Sequence, residues 1–254
     1  GEREGAKAAE EVGSEGRAGP PLGLDKHSVE HYLSIIQSHG FNAVRFGFDH
    51  HRILEGKITP ESDALAYAPE LSLLPYHHML LTLAKAAARR GLLVVFACDR
   101  LYADKPAGHK ESGLWYSTSI TEELSLKSWK RLAHLACGQW NVIGVDLFSQ
   151  PYKASWGLDD EKTDWNKAAE RIGNSVLEYC SRWLIFVQGV GEEPGAGEDQ
   201  DTAGGVFWGE NLYGARNAPI TLNDQSKLVY SPSSFGPATY SFEFFKYGKF
   251  PNNM

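Results

Sequence analysis

The residues of this sequence best placed to do chemistry stand where short apolar runs give way to polar side chains. Those places are Phe46 to Asp49, Cys98 to Leu101, Phe148 to Gln150, Gln188 to Gly191 and Ser231 to Phe235. Glu55, Glu111 and Glu210 are further candidate acids, but each reads as a solvated loop residue with no evident partner. Three of the seven tryptophans, Trp115, Trp156 and Trp208, fall in predicted loops. An indole face there could cover the apolar face of a pyranose ring. Trp129, Trp140, Trp165 and Trp183 fall on predicted helices or at a helix-to-strand junction, where packing is the expected use.

Other chemistries find little support. His50-His51 and His77-His78 are adjacent pairs whose side chains diverge on a helix or strand, and nothing supplies the remaining ligands, so no metal is expected. Cys98, Cys137 and Cys180 are widely spaced, which predicts buried thiols, or one disulfide and a spare. A formal net charge of −7, with no stretch dense in Lys and Arg, argues against a nucleic-acid partner. No apolar run reaches the roughly 18 residues of a membrane span, and no cofactor motif stands out.

The elements that must position these residues alternate. Residues 1–21 mix Gly, Ala and charges without apolar periodicity and predict a tail or linker. From residue 22 to 254 one domain is expected. Val29, Tyr32, Leu33 and Ile36 lie at helical spacing, with Gly40 as the stop and a β-rich run from Asn42 to Phe48 following. The same alternation predicts helices over 71–90, 121–138 and 164–180, and strands over 92–98, 142–147, 183–188 and 228–231. Short apolar strands alternating with amphipathic helices imply a parallel sheet covered by helices, which leaves a barrel and a doubly wound sheet both open.

Several strand ends, in order, resemble the cellulase type of family 5 glycoside hydrolases. GFNAVRFGF (40–48) is similar to the family's second-strand motif and carries its Arg as Arg45. VVFACDRL resembles the third strand, VIGVDLFSQP the fourth, TDWNKAAERIGNSVLEYCSRWLIFVQGV the helix and fifth strand, and LVYSPSSFGP the sixth; FWGENL and FPNNM resemble stretches that flank the family's cleft. The resemblance implies a (β/α)8 barrel, here incomplete, with strands two to six recognisable. The family's retaining hydrolysis uses two carboxylates about 5 to 5.5 Å apart, one as acid/base and one as nucleophile.

At the positions that the resemblance marks, this sequence departs. The acid/base Glu is Gln150, whose carboxamide has no titratable proton. The Asn before it is Ser149, the His after the third strand is Leu101, and the His and Tyr of the sixth strand are Ser233 and Phe235. The nucleophile Glu, on the seventh strand, is expected beyond the FPNN motif and so outside the sequence given. Arg45 and Asp99 match family positions and are expected to pair beneath the barrel mouth.

These departures predict a catalytically inactive cellulase-like domain with a structural, assembly or glycan-binding role. The alternative is an active retaining β-glucanase acting on β-1,4-glucan, with relocated or partner-supplied catalytic groups. On either reading an open five-strand sheet needs covering, by further chain, a partner polypeptide or another element.

Overall fold

The computed structural model describes residues 21–60, 62–102, 113–191 and 207–236. Residues 1–20 of the tail predicted over 1–21, Glu111 and the FPNNM stretch lie outside the described residues. Helix α1 (Val29–Ser38) starts where the Ser28 hydroxyl accepts from the His31 N–H, and Gly40 follows it with φ +81°. Strand β1 (Ala43–Asp49) runs directly into a short helix, α2 (His50–Glu55), which the sequence reading did not resolve. Then come α3 (Tyr76–Arg89), β2 (Leu93–Arg100), α4 (Glu122–Ala136), β3 (Val142–Asp146), α5 (Trp165–Tyr179), β4 (Leu184–Val187) and β5 (Leu228–Tyr230).

All four strand pairings are parallel and the order is β1-β2-β3-β4-β5. This order decides between the two architectures. A doubly wound sheet reverses direction at a switch point, whereas consecutive strands that are always neighbours belong to a (β/α) barrel. The sheet therefore corresponds to five successive strands of such a barrel.

One face of the sheet buries against helices. Phe48, Phe96, Val145, Ile185 and Val187 are shut from solvent, and Trp129 of α4, Ile172 of α5 and Leu83 of α3 pack in the same core. On the other face Val95, Leu184 and Phe186 remain partly exposed, although a closed barrel fills its interior with such side chains. Among the described residues, β1 and β5 each have a single strand neighbour.

Trp129, Trp165 and Trp183 are buried as expected for packing residues. Trp140 is not: its indole is 60% exposed in the turn before β3, so the packing role expected of it is corrected. Cys137 and Cys180 form a disulfide that ties the end of α4 to the end of α5, and Cys98 is a buried free thiol. None of the described helices is long and apolar enough to cross a membrane.

Candidate active site

A cleft of about 690 Å³ opens at the carboxyl ends of the strands. Its floor is polar because alternate residues of each strand face it: Arg45 from β1, Asp99 from β2, Asp146 from β3 and Gln188 just beyond β4. Arg45 is the hub. Its Nη1 pairs with Asp99 Oδ1 at 2.8 Å, and its Nε and Nη2 donate to Asp146 Oδ2 at 3.2 and 3.1 Å. Nη2 also donates to the hydroxyl of Ser149, which in turn donates to Asp99 Oδ1 at 2.7 Å. Asp99 can lie over β1 only because residue 47 is glycine, since a Cβ there would come within 1.9 Å of its Oδ2.

The two carboxylates differ in access. Asp99 is 41% exposed, whereas Asp146 is almost fully buried. Burial pushes the Asp146 carboxyl up to about 6, against the pull of the Arg45 charge and of the Gln188 and Arg45 hydrogen bonds. Burial also works against the charge on Arg45, but the flanking Asp146 and Asp99 outweigh it and raise the guanidinium further.

Gln150 lines the cleft with φ +54°, a left-handed conformation for a non-glycine residue that also precedes a proline. Such a conformation costs about 1–3 kcal/mol and is held by its surroundings. Here the Gln150 N–H donates to the Gln188 side-chain oxygen at 2.9 Å. Leu101, Ser149, Ser233 and Phe235 line the same cleft, so the six positions marked by resemblance come together. Ser233 is held by its N–H to the Gly209 carbonyl at 2.9 Å, and the Phe235 ring packs on Phe207.

The three loop tryptophans separate. Trp208 lines the cleft, 47% exposed, stacked on Tyr152 with ring centroids 4.2 Å apart. Trp115 is buried to 1% exposure, its N–H bonded to Glu122 at 2.8 Å and its ring against Trp165. Trp156 is likewise buried, with its N–H on the Ala218 carbonyl at 2.8 Å. Burial takes Trp115 and Trp156 out of the sugar-stacking role expected of them.

Sequence reasoning marked Gln188 only as the start of a strand end, without a role for its amide, and missed Tyr152. Both lie at strand ends or just after them, which was the available signal. Of the other acids, Glu161 is exposed, Glu55 pairs with Lys57, and Glu210 is spent on the Ser234 hydroxyl and the Phe207 N–H. Among the described residues no group of three or more His, Cys, Asp or Glu could hold a metal ion. His50 is instead enclosed by Phe48 and Trp129.

The family profile described as Cellulase (glycosyl hydrolase family 5) matches residues 7–249. An endoglucanase of Paenibacillus polymyxa is 31% identical over 91% of this chain and 56% of its own length. The major extracellular endoglucanase of Xanthomonas campestris pv. campestris is 33% identical over 91% of this chain and 46% of its own. The chain thus spans about half the length of these relatives.

Among solved structures, an endocellulase from Pyrococcus horikoshii in complex with cellotetraose superposes with a TM-score of 0.80 at 32% identity, over 94% of this chain and 66% of that one. The catalytic domain of the Xanthomonas campestris endoglucanase superposes with a TM-score of 0.77 at 32% identity, over 91% and 64%.

These findings correct the expectation of a catalytically inactive domain with a structural role: proteins similar over nine-tenths of the chain are endoglucanases, and the hydrolytic alternative is the better supported. Gln150 still has no proton to give, so such chemistry must draw on other carboxylates. With a family profile matched along nearly its whole length and a parallel sheet in barrel order, the chain belongs to the cellulase family, glycosyl hydrolase family 5.

Proposed function

We propose that this chain supplies one side of the active cleft of a retaining β-1,4-glucan hydrolase. Arg45, Ser149, Gln150 and Trp208 contact the sugar, and Asp99 takes the place of the carboxylate that Gln150 no longer provides. The opposing carboxylate comes from polypeptide that completes the barrel beside β1 and β5, either further sequence of the same protein or a partner chain. The observation that carries this reading is the cleft itself. An exposed carboxylate, an ion-paired arginine and an exposed indole converge at the strand ends where barrels of this kind do chemistry. The endocellulase complex with cellotetraose supports β-1,4-glucan as the substrate class.

Hydrolysis of cellotetraose and of a soluble fluorogenic β-glucoside by the purified protein tests the reading, both alone and together with the polypeptide that completes the barrel. Turnover that drops about 10²-fold or more in Asp99→Asn is expected. Turnover indifferent to Asp99, or restored to a silent protein only by Gln150→Glu, would reject Asp99 as the substitute acid.

A further inference from the structure

The side chain of Gln188 is 4% exposed and bonded at both ends. Its Oε1 accepts from the Gln150 N–H at 2.9 Å, and its Nε2 donates to Asp146 Oδ2 at 2.8 Å. A backbone N–H can only donate, so it must meet the oxygen end, and the nitrogen end is left to the carboxylate. The amide orientation is therefore fixed by its partners.

Each partner has a peculiarity that this amide addresses. Gln150 is in the strained left-handed region, and its N–H would otherwise point into a part-buried space. Asp146 receives all three of its donors on Oδ2, two from Arg45 and one from Gln188, while Oδ1 is buried with no hydrogen-bond partner among the described residues. The loop that carries Trp208 closes over the same amide. A Cβ on Gly209, whose φ is +82°, would come within 2.6 Å of Gln188 Oε1 and 3.2 Å of the Gln150 Cα. The Gly209 carbonyl accepts from both the Gly189 and Ser233 N–H groups, which presses that loop onto the ends of β4 and β5.

We propose that Gln188 is a positioning residue of the cleft: its carboxamide ties buried Asp146 to the strained backbone of Gln150, and so fixes where the Gln150 and Trp208 side chains meet a β-glucan chain. The proposal rests on the reading of the cleft as a β-1,4-glucan site. The charged groups around the amide are Arg45 from β1, Asp99 from β2 and Asp146 from β3, with Glu210 on the loop beside Trp208.

Two variants separate positioning from bulk. Gln188→Met keeps the volume and removes both bonds. Gln188→Glu keeps an acceptor for the Gln150 N–H but replaces the donor with an acid, which can bond Asp146 only while it holds a proton. Cellotetraose binding by calorimetry and the Asp146 carboxyl titration by carbon NMR are measured on each, with a thermal melt to confirm folding.

Gln188→Met is expected to weaken cellotetraose binding about tenfold. It should also move the Asp146 titration upward, because a donor that favours the ionised form is gone. Gln188→Glu is expected to bind as the natural protein does in acid and to lose affinity as pH rises and the two carboxylates come to oppose each other. A residue that merely fills space would weaken binding equally at every pH.

Unchanged Asp146 titration and unchanged binding in Gln188→Met overturn the proposal. If that variant does not fold, a pH-independent affinity in Gln188→Glu overturns it instead. Absence of cellotetraose binding by the natural protein overturns the glucan reading, and the clamp then stands or falls on the Asp146 titration.

Discussion

Arg45 holds Asp146 with two of its nitrogens, at 3.2 and 3.1 Å on one carboxylate oxygen, while its third turns to Asp99 at 2.8 Å. One cation thus serves two carboxylates of very different exposure. Arg45→Met would leave both without it. Asp146 is buried and would respond by keeping its proton to higher pH, above the value of about 6 at which burial already holds it. Because Arg45 is 41% exposed, the loss of stability is expected at about 1–2 kcal/mol, below the range for a fully buried pair. Carbon NMR of Asp146 and urea denaturation measure the two effects. A titration that does not move would mean that Arg45 is not what restrains this carboxyl.

Trp208 and Trp115 occupy similar predicted loops but opposite environments, and their variants should separate cleanly. Trp208→Ala removes a half-exposed ring stacked on Tyr152, so cellotetraose binding should weaken about 5- to 20-fold with little change in melting temperature. Trp115→Ala empties a core site and leaves Glu122 without its indole donor, for an expected loss of about 3–5 kcal/mol. Calorimetry and thermal melts on the two variants, side by side, check this. Equal effects on binding would show that ring exposure does not mark the sugar contact.

The helices and strands were legible because their signals are local. Val29, Leu33 and Ile36 repeat at helical spacing, and LVVFAC and VIGVD are apolar runs bounded by glycine or polar residues. Helix α2 escaped because six residues are too few to show a period; its marks were Asp49 as N-cap and Gly56 as C-cap. The strand-end rule and the resemblance together found Arg45, Ser149 and Gln150. Neither could find the Gln188 clamp, whose partners lie 38 and 42 residues away and whose amide carries no charge. The tryptophans failed for a different reason. Loop location says where an indole starts and not whether a partner such as Glu122 or the Ala218 carbonyl lets it be buried.

The Cys137–Cys180 disulfide closes a span of 43 residues across α5 and β3. By loop-closure entropy, a cross-link of that length stabilises by about 4 kcal/mol, which corresponds to roughly 10 °C in a domain of this size. Reduction, or Cys137→Ala with Cys180→Ala, should lower the melting temperature by about that amount while leaving the cleft's titrations unchanged. Cys98, fully buried, should resist alkylation until the protein unfolds. Modification of Cys98 under native conditions would contradict the packing of β2 against the helices.

Stability should fall less steeply between pH 6 and 4 than the histidines alone would make it, because a buried carboxyl opposes them. His50, enclosed by Phe48 and Trp129, is pushed down to about 3 by burial. The unfolded chain takes up a proton near 6.5 that the fold refuses. The His50 contribution is therefore complete above about 6.5 and is lost as pH falls toward 3, with a span of about 4–5 kcal/mol. Asp146, raised from 3.8 to about 6, has the reverse sign: the fold binds its proton more tightly, so its contribution is complete below 3.8 and lost as pH rises through 6. Between 6 and about 4 Asp146 opposes His50 and also His77, which is pushed down to about 4 and loses its contribution between 6.5 and 4. Below 4 Asp146 and His77 add nothing more, whereas His50 goes on losing, helped by carboxylates held low, such as Glu30 against Arg89. Urea denaturation at intervals from pH 7 to 3 should show a fall in stability between 6 and 4 that Asp146 offsets in part. In Asp146→Asn the opposing slope is removed, so stability should fall more steeply between pH 6 and 4 than in the natural protein; an unchanged slope there would show that Asp146 is not the opposing group.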